Sequence, residues 1–191
     1  HLLHKALKIV LGDHVEQKGS LVDNLKTRFD FSHSKSISNE EIHQIESIVN
    51  NEILTNKMTT TQMMSIDKAK ESGALMLFGE KYESKVRVLN IGNSIELCGG
   101  THVKNTGDIG LFKIYSESSV ASGVRRIEGI TGLNLIKFLN DQEEILTRIS
   151  KDLNTKISEI PSKVSSILTQ LKENEKIQSQ LKSELALNQT D

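Results

Sequence analysis

The stretch KVRVLNIGNSIELCGGTH, residues 85–102, contains two short runs in which apolar and polar residues alternate, as they do in half-buried β-strands. Two further runs of this kind follow, GLFKIYSES at residues 110–118 and GVRRIEGITG at residues 123–132. Glycines separate the runs, which is typical of strands joined by turns. These residues therefore predict a set of sequential strands, and the rest of the fold is organised around them.

Upstream of this stretch the chain begins with helical spacing. The apolar spacing over residues 1–11 predicts a helix, and Gly12 is a plausible C-terminal stop. EQKGSLV, residues 16–22, and TRFDFSH, residues 27–33, predict two strands joined by a turn. We expect these elements to contribute to the same core as the later strands.

A second helix is indicated by a capping box, in which Ser38 and Glu41 would satisfy each other's backbone N–H groups. This pattern predicts a helix over residues 39–55, followed by a strand near residues 57–64 and a short helix ending at Gly73. Because helices and strands do not strictly alternate, we expect an α+β fold, with a mixed sheet and packed helices.

The last third of the chain has a different composition. All 12 glycines lie within residues 1–132, whereas residues 133–191 contain the single proline, Pro161. Apolar residues recur there at helical spacing: Leu139, Leu146, Ile149, Leu153, Ile157, Ile160, Val164, Ile167, Leu171, Leu181 and Leu185. We therefore expect a second domain over residues 133–191, a helical hairpin or coiled-coil segment with Pro161 in the first turn of a helix.

Composition limits the class of protein. Of the 191 residues, 36% are hydrophobic and 26% are charged, which is typical of a soluble globular protein. No apolar run approaches the roughly 18 residues needed to cross a bilayer, and the N-terminal residues do not form a signal peptide, so we expect a cytoplasmic protein. The formal net charge is −1, so a nucleic-acid partner would need a local basic patch.

The single cysteine raises the first functional question. Cys98 and His102 flank Gly99 and Gly100, and this flexible turn would allow both side chains to reach one ion. From spacing alone, a buried thiol beside a turn and half of a metal site both remain open. A zinc site needs about two further ligands. The remaining histidines are His1, His4, His14, His33 and His43.

Six motifs, in this order and at these separations, resemble the editing domain of alanyl-tRNA synthetases. They are HLLHKAL, HVEQKGSLV, RFDFSH, LCGGTHV, TGDIGLFKI and SGVRRIEGITG. Residues 1–132 carry the resemblance, and residues 133–191 are similar to the segment that follows the editing domain in these enzymes. Free-standing editing proteins share the metal motifs, whereas the string GVRRIE and the helical region favour the synthetase.

The resemblance implies a zinc site, built from a helical pair of histidines four residues apart and from the Cys and His of CGGTH. His1 matches the second histidine of the pair, so the implied ligands are His1, Cys98 and His102. The first histidine would precede residue 1, and we expect the site to be incomplete without it. His4 lies one residue off the four-residue repeat, and we expect it to pack against the first strand pair.

The resemblance also implies a substrate pocket and an RNA contact. Gln17 and Thr101 match pocket positions with a catalytic role, and an amide such as that of Gln17 both donates and accepts hydrogen bonds. The implied tRNA-binding residues are Lys18, Arg125 and Arg126. Adjacent strand residues point to opposite faces, so we expect at most one arginine to face the RNA and the other to pair with a carboxylate such as Glu128.

The implied reaction is hydrolysis of the ester that joins serine or glycine to the 3′ end of tRNA for alanine. Zinc would either lower the pKa of water, from about 15.7 towards roughly 7, or hold the substrate's amino group. ATP is expected only in other parts of the full enzyme, so these residues should not charge tRNA. A free-standing editing protein, a non-catalytic tRNA-binding module and an assembly module that forms a homodimer through residues 133–191 are the alternatives.

Overall fold

The computed structural model describes residues 1–76 and 82–188, and the side chains of residues 184–188 are not described. Two compact units are present, His1–Lys137 and the residues from Phe138 onward. The described helices are α1 (Leu2–Leu11), α2 (Asn39–Leu54), α3 (Ile66–Glu71), α4 (Gly132–Asp152) and α5 (Ile160–Asn188). The described strands are β1 (Gln17–Val22), β2 (Thr27–Ser32), β3 (Thr60–Ser65), β4 (Lys85–Ile91), β5 (Ser94–Leu97), β6 (Phe112–Ala121) and β7 (Val124–Thr131).

The α+β class predicted from the sequence is confirmed, but the described strands form two antiparallel sheets instead of the one mixed sheet that was expected. The described strands form a four-stranded sheet in the order β1-β2-β7-β6 and a three-stranded sheet in the order β3-β4-β5. Every pairing between these strands is antiparallel. β2 and β7 are far apart in the chain but adjacent in the sheet, which joins the β1–β2 hairpin to the last strand of the unit.

Local signals place the helix ends as expected. Gly12 follows α1 with a φ of +113°, a conformation that L side chains rarely adopt. At the start of α2, the Ser38 Oγ accepts a hydrogen bond from the Glu41 backbone, and the Glu41 carboxylate accepts one from the Ser38 backbone. The predicted helix over 39–55 ends one residue early, at Leu54, and the strand predicted near 57–64 begins at Thr60.

The main core lies between the four-stranded sheet and helices α1 and α2. Its fully buried side chains include Leu7, Val15, Phe31, Ile45, Ile53 and Ile127. A polar contact joins α2 to β6: the Asn50 amide donates to the Phe112 carbonyl at 2.9 Å and accepts from the Phe112 N–H at 2.8 Å. A smaller core of Ala69, Val86, Val88 and Leu97 supports the three-stranded sheet.

The second unit consists mainly of helix. Pro161 is the second residue of α5, so its predicted place in a first helical turn is confirmed. Every described side chain from residue 161 to residue 183 is exposed, including the apolar ones. Among the described residues, no helix has both the length and the apolarity that crossing a bilayer requires.

Candidate metal centre

Three side chains from distant parts of the chain meet at one point. His1 precedes α1, Cys98 directly follows β5, and His102 comes after the glycine turn. The Nε2 atoms of His1 and His102 are 3.1 Å apart, and Cys98 Sγ is 3.4 Å from His102 Nε2. Their potential ligand atoms all lie within 4.8 Å of one another.

These separations suit a small, tetrahedrally coordinated cation. With zinc bonds of about 2.0 Å to nitrogen and about 2.3 Å to sulfur, neighbouring ligand atoms are roughly 3.3–3.6 Å apart. The observed 3.1 and 3.4 Å need only small movements to reach such values. Cysteine sulfur and histidine nitrogen are also ligand types that zinc prefers. The residues present therefore fit the metal that the resemblance implies.

A buried carboxylate orients the first of these ligands. Glu96 Oε2 lies 2.7 Å from His1 Nδ1, and the Ser94 hydroxyl donates to Glu96 Oε1 at 2.7 Å. An acceptor at Nδ1 favours the tautomer that carries its proton there, which leaves the Nε2 lone pair directed at His102 and Cys98. Carboxylate–histidine pairs of this kind support many metal sites.

The charge state of Glu96 reflects two opposing effects. Burial disfavours the ionised carboxylate, but the hydrogen bond with His1 and the contact with His4 outweigh it and lower the pKa of Glu96 to about 2. Glu96 is therefore ionised at neutral pH. Sequence reasoning missed this residue, although the alternation of a strand places Ser94, Glu96 and Cys98 on one side.

The surroundings of His102 favour the neutral form of its imidazole. Burial, and then the nearby charges of His1 and Arg87, lower the pKa of its imidazole. A neutral imidazole is the form that binds a metal. Its Nδ1 is buried and has no hydrogen-bond partner among the described residues.

Arg87 on β4 holds the glycine turn from the adjacent strand. Its Nη1 donates hydrogen bonds to the carbonyls of Cys98 and Gly100, both at 2.8 Å. The backbone N–H of Cys98 in turn donates to the Arg87 carbonyl at 3.1 Å. Sequence reasoning missed Arg87 as well, because a single arginine in an alternating strand gives no sign of which carbonyls it will contact.

His4 does not join the cluster. Its ring is buried against Phe29 of β2, with ring centroids 5.3 Å apart, so the predicted packing against the first strand pair is confirmed. Its Nδ1 lies 3.7 Å from Glu96 Oε1. His4 thus contributes to the surroundings of Glu96 and not to the set of potential ligands.

The cluster opens into a cleft of about 920 Å³. Gln17 and Thr101 line the same cleft, together with apolar side chains that include Val15, Phe29, Leu75 and Met76. The Gln17 amide nitrogen donates to the Ser20 hydroxyl at 3.2 Å. The structure therefore brings both predicted pocket residues to the cleft that contains His1, Cys98 and His102.

The three residues predicted to bind tRNA are placed differently. Lys18 forms an exposed ion pair with Glu16 at 3.0 Å. Arg126 donates two hydrogen bonds to Asp30, each of 2.7 Å, and Arg125 pairs with Glu117. Among the described residues, none of these three cations lines the cleft.

The prediction that Glu128 pairs with Arg125 or Arg126 was wrong. Glu128 accepts a hydrogen bond of 2.5 Å from Lys26 instead of pairing with either arginine. The physical reason is that Lys26 follows the β1–β2 turn and reaches across to β7, a contact that only the nonlocal β2–β7 pairing creates. Arg125 and Arg126 do contact different carboxylates, as strand alternation requires.

Comparison with known proteins places the chain in context. Residues 86–128 match a family described as the threonyl and alanyl tRNA synthetase second additional domain. Over all 191 residues, the chain is 54% identical to the alanine–tRNA ligase of Albidiferax ferrireducens and 52% identical to that of Nitrosospira multiformis. A similar protein from Aromatoleum aromaticum is 54% identical. The chain spans 22% of the length of each of these relatives.

Proposed function

Because the chain matches a segment of the alanine–tRNA ligases over its whole length, as its motifs predicted, we propose that it is an aminoacyl-tRNA editing domain. Its reaction is hydrolysis of the ester that joins serine or glycine to tRNA for alanine. The observation that carries the proposal is the convergence of His1, Cys98 and His102 in the cleft that Gln17 and Thr101 also line.

Selectivity explains why an alanine-specific ligase needs such a reaction. A pocket for alanine distinguishes glycine only by one missing methyl group, which is worth roughly 1–3 kcal/mol. The same pocket cannot strongly reject serine, which adds only a hydroxyl. A second, hydrolytic site removes the wrong amino acid after it has been attached.

In this proposal His1, Cys98 and His102 hold a zinc ion. The ion supplies Lewis acidity for hydrolysis at neutral pH, or a binding point for the substrate's amino group. Glu96 keeps His1 in the tautomer that can bind, and Arg87 fixes the carbonyls on either side of the turn. The fourth ligand implied by the resemblance, a histidine N-terminal to His1, stays a prediction.

Gln17 is proposed to recognise the side chain of the misattached amino acid. Its amide nitrogen donates one hydrogen bond to Ser20, and its carbonyl oxygen can accept a hydrogen bond from a serine hydroxyl. Thr101 offers an exposed hydroxyl within the same cleft. Both residues would contact substrate without binding the metal.

The test compares deacylation of seryl-, glycyl- and alanyl-tRNA under single-turnover conditions. It uses the 191-residue chain and a chain extended N-terminally by roughly ten residues, about three helical turns, to supply the implied histidine. We expect faster release of serine and glycine than of alanine. Gln17→Ala should reduce the preference for serine over alanine and leave zinc content unchanged. The absence of any release by zinc-loaded extended protein would overturn the proposal.

A further inference from the structure

One face of the four-stranded sheet carries more cations than carboxylates can neutralise. Arg28 lies opposite Glu128 in the β2–β7 register, and Asp30 lies opposite Arg126, so these four side chains share a face. Lys26 reaches the same face through its contact with Glu128. The face thus holds three cations and two carboxylates.

Both carboxylates are already engaged by the other two cations. Arg126 donates to each oxygen of Asp30, from Nε and from Nη2, at 2.7 Å. This bidentate arrangement is the strongest geometry available to an arginine and a carboxylate. Lys26 occupies Glu128 at 2.5 Å. Asp30 and Glu128 thus accept their hydrogen bonds from Arg126 and Lys26, whereas Arg28 Nε lies 3.7 Å from Asp30 Oδ2.

Arg28 is left with an incomplete set of contacts. Its Nε is buried but donates no hydrogen bond to any described residue, and the Asp30 oxygen that it approaches is 3.7 Å away. A buried N–H without an acceptor destabilises the folded chain. The side chain is nevertheless 31% exposed, so an acceptor from outside the chain can reach it.

Arg28 belongs to the same cleft as the candidate metal centre. Arg28 and its neighbours on β2, Thr27 and Phe29, line the same cleft as His102 and Cys98. A molecule whose reacting end lies beside His102 and Cys98 would therefore come within reach of Arg28. The proposed substrate, an aminoacyl-tRNA, carries phosphate groups along the strand that leads to its reacting end.

We propose that Arg28 binds a backbone phosphate of the RNA, close to the end that enters the cleft. This inference rests on the proposed function for the identity of the RNA. A guanidinium presents several donors in a planar fork and matches phosphate oxygens well. The sequence predicted phosphate binding by Lys18, Arg125 and Arg126. We assign that role to Arg28, because the other three cations already have carboxylate partners at shorter distances.

The experiment measures binding of uncharged tRNA for alanine to the 191-residue chain as a function of salt. On a single strand, one phosphate contact contributes about 0.7 to the slope of log K against log[salt], so Arg28→Gln should lower the slope by about 0.7. Loss of this contact should lower the affinity about fivefold at 0.1 M salt and have almost no effect near 1 M. Arg28→Lys should bind with intermediate affinity, because it keeps the charge and loses the fork.

The matched control is Arg148→Gln, which removes the same charge from an exposed arginine on α4. Its slope should stay at the wild-type value. Thermal melting of each variant verifies that the fold survives. Equal slopes for Arg28→Gln and wild type would overturn the inference and leave Arg28 as a structural cation. Since uncharged tRNA undergoes no hydrolysis, this result does not depend on whether the chain deacylates.

Discussion

The substitution Glu96→Gln separates the metal-supporting role of Glu96 from its role in folding. In the native chain, one oxygen of Glu96 faces His1 and the other accepts from Ser94, both at 2.7 Å. Glutamine has nearly the same volume but only one acceptor oxygen, and it carries no charge. With the amide oxygen facing His1, the amide nitrogen can donate to the Ser94 hydroxyl, so both contacts can persist as neutral hydrogen bonds and the main loss is the charge beside His1.

The magnitude follows from these contacts. A hydrogen bond to a charged group contributes about 1.5–3 kcal/mol, and a neutral one contributes about 0.5–1.5 kcal/mol. The two ranges differ by about 1–1.5 kcal/mol. Loss of a carboxylate that orients a histidine ligand typically weakens metal binding roughly 10- to 100-fold, or by about 1.4–2.7 kcal/mol, so we expect an effect near the lower end of that range. The effect acts through His1, because Glu96 is not among the potential ligands.

Cobalt(II) titration is a suitable assay, because the absorbance of a cobalt–thiolate bond reports directly on Cys98. The matched control is Glu46→Gln, another buried carboxylate, which contacts Lys113 at 2.8 Å and the Ile114 N–H at 2.7 Å. We expect the control to lower stability and to keep wild-type cobalt affinity. A cobalt affinity for Glu96→Gln within twofold of wild type would refute the role assigned to this carboxylate.

Three further outcomes follow from other contacts. Arg87→Gln should weaken cobalt binding and broaden its absorbance, since two carbonyls of the turn lose their donor; an unchanged titration would count against this role. Asn50→Ala should lower the free energy of unfolding, measured in urea, by about 2–3 kcal/mol, because the Phe112 N–H and carbonyl both lose partners. The hydrogen bonds from Arg126 hold the pKa of Asp30 below its ordinary value of 3.8. Their contribution to stability is therefore complete above pH 3.8 and is lost as the pH falls through the lower folded value, so Asp30→Asn should flatten acid unfolding profiles in that range.

Elements controlled by local sequence were predictable. The capping box at Ser38 and Glu41 needs only residues three apart, and Gly12 ends α1 because of its own backbone freedom. The pocket residues Gln17 and Thr101 were identified through motifs, and the structure places both beside one cleft. Their roles there stay predictions until the deacylation assays are made.

Elements controlled by distant pairing were not predictable. Periodicity identifies a strand but does not name its neighbour, so the division into two sheets appears only in the structure. The same limitation led to the wrong partner for Glu128 and hid the contact of Arg87 with the Cys98 turn. Glu96 lay within reach of sequence reasoning, but its partner His1 is 95 residues away.

The most direct test of the central claim is the single-turnover rate of serine release from seryl-tRNA for alanine, measured for the N-terminally extended chain and its Cys98→Ala variant. The substitution removes a potential thiolate ligand, while the main core, built from residues such as Leu7 and Phe31, does not include Cys98. We predict that zinc-loaded wild type releases serine and that folded Cys98→Ala, with its zinc lost, does not. Undiminished release by a folded, zinc-free Cys98→Ala protein would contradict the account.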